Sequence, residues 1–80
     1  MPTVLRENGF DVMIFTHDHE PAHVHVFYGD ELIIFDLLDL SSRIHPKMKT
    51  SNARRAKQLV ATHRNFLMNK WKEIHGSSHV

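Results

Sequence analysis

The residues best suited to chemistry crowd into one stretch, Thr16-His17-Asp18-His19-Glu20-Pro21-Ala22-His23-Val24-His25-Val26, which holds four of the eight histidines in an 80-residue chain. On an extended strand, side chains two apart share a face, so His23 and His25 present two imidazoles side by side. Pro21 favours extended backbone in the residue before it, a path that carries His19 back toward that pair. Neutral imidazoles bind zinc, copper, nickel or iron, and the set His19, His23 and His25 leaves a position for water on an ion such as zinc. Asp18 and Glu20 would act as further ligands or orient the rings. The same residues suit a second chemistry. An imidazole that titrates near pH ~6.5 can take and return a proton in phosphodiester cleavage, which makes His23, His25 and His19 candidate catalytic groups with Asp18 orienting them. A third reading is structural, with the rings packed and hydrogen-bonded and no ligand. The spacing alone leaves all three open.

These histidines need a sheet to hold them, and the first half of the chain reads as one. Asn8-Gly9 is a turn signal, since both residues tolerate positive φ. Phe10, Val12 and Ile14 then alternate with Asp11 and Met13, the period of a half-buried strand. His23, His25 and Phe27 alternate with Val24, Val26 and Tyr28, Gly29-Asp30 forms a tight turn, and Glu31–Asp36 reads as another strand. Connections this short predict antiparallel pairing of three or four strands between about residues 3 and 40. Residues 41–50, with Pro46, are expected to form a loop, with Thr50, Ser51 and Asn52 offering N-cap oxygens. One long helix is expected over about 51–75, stopped by Gly76, with Ala56, Leu59, Val60, Phe66, Leu67 and Ile74 on one face and Trp71 at its flank. The expected fold is α+β: a small antiparallel sheet with a single C-terminal helix packed across it, in one domain spanning 1–80. His63, within the apolar sector, is either a core histidine or a further member of the strand cluster.

Charge divides the chain. Residues 1–42 hold one basic and eight acidic residues, a balance of −7, whereas 43–80 hold nine basic and one acidic, a balance of +8. Domains near neutrality normally intersperse both signs. Arg54, Lys57, Arg64, Lys72 and His75 recur along one flank of the expected helix, with Lys47 and Lys49 in the loop before it. Such a stripe suits the phosphates of RNA or DNA, or an acidic partner protein, and it is also what an ordinary solvated helix face looks like. No helix-turn-helix pair, aromatic RNA-binding sheet or glycine-rich phosphate loop accompanies it.

Composition narrows the classes further. The absence of cysteine excludes disulfides and thiolate chemistry. No apolar run approaches the roughly 20 residues of a membrane span, and the first residues do not read as a signal peptide, so a cytoplasmic location is expected. A chain of this length buries only about 60% of its unfolded surface, which makes support from a metal, partner or oligomer reasonable.

With Met1-Pro2-Thr3-Val4, Asn8-Gly9-Phe10, Asp18-His19-Glu20-Pro21 running into His23-Val24-His25-Val26, and Trp71-Lys72-Glu73-Ile74 all in view, the sequence resembles the Domain of Unknown Function 4160 family of small prokaryotic proteins. It departs at Ala22, where that family usually repeats proline. The resemblance implies a component of toxin–antitoxin-like gene pairs, with a small cognate partner protein encoded nearby, and it points to Asp18, His19, Pro21, His23 and His25. It brings no established activity. The expectation it supports is a nucleic-acid-binding module, acting as a histidine-dependent nuclease if it is an enzyme. A non-catalytic interaction module and a metal-binding protein are the alternatives.

Overall fold

A computed structural model describes residues 3–42 and 47–76. Four strands, β1 (Thr3–Glu7), β2 (Phe10–Met13), β3 (His23–Tyr28) and β4 (Glu31–Asp36), form an antiparallel meander in the order β1-β2-β3-β4. The two-residue turns follow from sequence. Asn8 and Gly9 adopt φ of 53° and 84°, and a Cβ on Gly9 would stand 3.0 Å from the Tyr28 ring, so this position admits little but glycine. Register sets the faces: Val12 pairs Val26, which pairs Ile33, and Val24 pairs Phe35. These side chains all point to one side and are buried with Phe10, Ile14 and Leu37. Each contributes about 1.5–3 kcal/mol relative to exposure. The opposite side carries Asp11, Met13, His25, Phe27, Leu32 and Ile34.

The expected single helix is two, α1 (Thr50–Thr62) and α2 (Arg64–His75), parted at His63. The i to i−4 ladder continues through the break, from His63 N to Leu59 O and from Leu67 N to His63 O, but His63 itself leaves helical geometry at φ −105°, ψ 18°. Thr62, His63 and Asn65 are weak helix formers, and two contacts to the sheet side flank the break. The His63 Nε2 lies 3.1 Å from Glu7 Oε1, and Arg64 donates to the Leu38 carbonyl. Ala56, Leu59, Val60, Leu67 and Trp71 face the core. Trp71 is thus central to the seam. Phe66, expected on that face, is 42% exposed because it sits one residue, about 100°, off the line through Val60, Leu67 and Trp71. The expected N-cap is also displaced. Lys49 occupies the cap without a side-chain bond, while Asn52 in the first turn donates to Glu31 Oε1 at 2.9 Å and ties α1 to β4. Gly76 ends α2 in the left-handed conformation, as its position predicts.

At the outer edge of β4, Ser42 bridges Phe35 and Lys47 bridges Leu32. Pro46 lies outside the described residues. No helix among the described residues is long and apolar enough to cross a membrane.

Candidate metal centre

The loop between β2 and β3 closes on itself at Asp18. Its N–H donates to the Phe15 carbonyl at 3.1 Å, and its Oδ2 accepts from the Phe15 N–H at 3.2 Å. The turn therefore aims the Asp18 carboxylate back at the start of β3. There Oδ2 lies 3.4 Å from His23 Nε2 and 3.8 Å from His25 Nδ1. One ligand atom from each of Asp18, His23 and His25 falls within 4.8 Å of the others. Four-coordinate bonds of 2.0–2.2 Å separate neighbouring ligand atoms by roughly 3.3–3.6 Å, so small side-chain adjustments would close the set on an ion.

The tautomer of His23 follows from a single contact. Its Nδ1 is 2.8 Å from the Pro21 carbonyl oxygen, which can only accept, so Nδ1 carries hydrogen and donates it. In the neutral ring Nε2 then bears the lone pair, and it faces a carboxylate oxygen. A metal ion placed between them would be ligated by both atoms. Backbone-carbonyl anchoring of the other ring nitrogen is the arrangement found behind metal-ligating histidines.

Aromatic rings enclose the group. Phe15 meets His25 edge-on with centroids 4.8 Å apart, and His23 lies 5.5 Å from His25 and 5.3 Å from Trp71. Trp71 donates its Nε1–H to Glu20 Oε2 at 3.3 Å and stacks on His75 at 3.8 Å. The His23 side chain is only 6% exposed, against 18% for His25 and 16% for Asp18, so a solvent approach runs past the latter two.

Of the residues singled out by sequence, Asp18, His23 and His25 come together. His19 is exposed in the loop and is not a member of the three, because the carboxylate of its neighbour Asp18 is the group turned toward β3. His63 bonds to Glu7 on β1 and does not complete the cluster. The cationic residues lie elsewhere. Arg54, Lys57, Lys72, Lys47 and Lys49 are exposed on the helices and the segment before them, while Arg64 is half-buried and tied to Leu38. His75, expected among that cationic row, instead packs on Trp71. Glu20, expected as a further ligand or an orienting group, instead accepts from Trp71, and the roles of Trp71 and the Pro21 carbonyl beside the cluster did not show in the sequence pattern. Trp71 is the only tryptophan, and its spacing of four from Leu67 was the available sign that it would be buried. A shifted ionisation lies away from the site: the Ser41 backbone N–H, 2.9 Å from Asp39 Oδ1, holds that carboxyl below its ordinary value.

Fold and site together define a small α+β protein with a His2Asp cluster set at one end of its sheet. A family model described as Domain of unknown function (DUF4160) matches residues 9–72, and the chain belongs to that family. No curated protein and no solved structure matches it.

Proposed function

We propose that Asp18, His23 and His25 bind one divalent first-row ion, zinc or iron(II), and that the chain acts through it. The supporting observation is the convergence of two imidazole nitrogens and a carboxylate oxygen within 4.8 Å, with the tautomer of His23 set to offer Nε2. Two histidines and one carboxylate are a ligand set used by hydrolytic zinc and by non-haem iron(II). A zinc held by these three ligands would leave a position for water and would supply, by acidifying that water, the nucleophile that phosphodiester hydrolysis needs. Protein purified without an affinity tag and loaded with zinc is expected to hold one equivalent by elemental analysis. His19→Ala should keep that equivalent, and His25→Ala should lose it while retaining its circular dichroism. A wild-type content below about a tenth of an equivalent would sink the proposal, given the affinities such sites reach.

A second reading concerns the cationic half. The exposure of Arg54, Lys57, Lys72, Lys47 and Lys49 on a half carrying a balance of +8 favours RNA or DNA as ligand in a cytoplasmic toxin–antitoxin-type module. A nuclease would then combine this surface with that acidified water. The double variant Arg54→Ala/Lys57→Ala is expected to reduce the slope of log affinity against log salt by about 2 for an RNA duplex. An unchanged slope would assign the face to an acidic partner protein.

A further inference from the structure

The opposite end of β3 from the His–Asp cluster holds a cleft that neither reading uses. It lies between one flank of α1 and the β1–β2 turn, has a volume of about 210 Å³, and is lined by Glu7, Asn8, Phe10, Arg55, Gln58, Leu59 and Thr62. Its floor is apolar, since Phe10 and Leu59 are buried. Its walls are polar and differ in kind. Arg55, Gln58 and Thr62 recur at i, i+3 and i+7 on α1, which places them in one row along the helix. Glu7 and Asn8 face them from the hairpin.

Arg55 is already positioned. Its guanidinium sits 5.2 Å from the centre of the Phe10 ring and 5.8 Å from that of Tyr28, and its Nη1 donates to Asn52 Oδ1 at 3.3 Å. A planar fork held on aromatic faces loses less freedom on binding than a solvated side chain. Across the cleft, the Glu7 carboxylate is steadied by His63 Nε2 at 3.1 Å through Oε1, which leaves acceptor capacity on the carboxylate. The volume is below the roughly 300 Å³ at which drug-sized pockets begin, so the cleft takes one small fragment.

We propose that this cleft is a guanine-binding site, with Arg55 donating to the base's O6 and N7 and Glu7 accepting from its N1–H and N2–H. Guanine carries two acceptors on its Hoogsteen edge and two donors on its Watson–Crick edge, matching a donor wall and an acceptor wall. Adenine turns its N6 amino donor toward the arginine and has no N1–H for the carboxylate. Gln58, Asn8 and Thr62 supply further edge contacts. The base reaches the site either as a free nucleotide or from a single strand. Because a free nucleotide suffices, the proposal depends on neither reading above.

The test is an amide-resolved NMR titration of the full chain with GMP, AMP, CMP, UMP and inorganic phosphate. GMP is expected to move the Asn8, Arg55, Gln58 and Thr62 amides and to bind at least ten-fold tighter than AMP. Arg55→Met, which keeps the packing on Phe10 and Tyr28, should weaken GMP ten-fold or more. Glu7→Gln should abolish the preference for GMP over AMP. Equal response to all four nucleotides, or the same amides moved equally by phosphate alone, would overturn the proposal, as would GMP binding indifferent to both variants. A guanine-bearing single-stranded hexamer that binds more tightly than GMP identifies the strand as the source; equal affinity identifies the free nucleotide.

Discussion

The two ends of β3 place polar groups among aromatic rings in opposite ways. At the Tyr28 end a cation, Arg55, lies over the electron-rich faces of Phe10 and Tyr28, so the rings there already meet a positive charge. At the His23 end the groups turned toward one another are a carboxylate oxygen and two imidazole nitrogens, one of them committed by the Pro21 carbonyl to present a lone pair. That end offers ligand atoms to a cation. One strand thus runs from a cation–aromatic contact to an anionic cradle roughly 17 Å away, at about 3.3 Å per residue. Polar residues on a sheet end become a candidate site when their charges call for a guest, whatever their number.

The severest way to break the comparison is to remove what joins the two ends. Leu67 is fully buried beneath α2, in the seam that continues from Val60 to Trp71. Leu67→Ala is expected to cost about 3–5 kcal/mol, the transfer energy of the lost atoms plus an unfilled cavity. In a domain whose total stability is of order 5–10 kcal/mol, that loss should lower the urea midpoint by about 30% or more and impair both ends together. A loss below about 1 kcal/mol would mean that α2 is not an integral part of the core.

The elements were more legible than the site. The Asn8-Gly9 turn, the alternation in β2 and β3 and the stop at Gly76 all follow from local conformational preference, so the sequence displays them directly. The break at His63 did not show, because a helical period survives it: the backbone ladder continues, and the departure is enforced by contacts to Glu7 and Leu38, 56 and 26 residues away in the chain. Phe66 misled for a related reason, since a broad apolar sector does not reveal which line within it is the seam. In the histidine stretch, the pairing of His23 with His25 is a matter of strand period and was readable. The choice between Asp18 and His19 was not, because it turns on the Asp18 carboxylate bonding back to the Phe15 N–H, a contact that spacing does not encode.

A gentler measurement separates the two ends without disturbing the core. A metal that binds only the folded chain stabilises it by RT ln(1 + [M]/Kd), about 2.7 kcal/mol at a hundred-fold excess over Kd. Wild type is expected to gain that much on adding zinc, read as a rise in the urea midpoint at unchanged slope. Asp18→Asn retains an oxygen able to accept from the Phe15 N–H, so the loop keeps its closure while the cradle loses its negative charge; this variant should gain less than about 0.5 kcal/mol. Arg55→Met, at the far end of β3, should gain as much as wild type, even though losing an exposed cation–aromatic contact costs it about 0.5–1 kcal/mol without metal. If Asp18→Asn responds to zinc as fully as wild type does, the ion binds elsewhere and the cluster is packing. If Arg55→Met loses the response as well, the two ends are energetically coupled, and the opposite charge of the two ends no longer accounts for the metal.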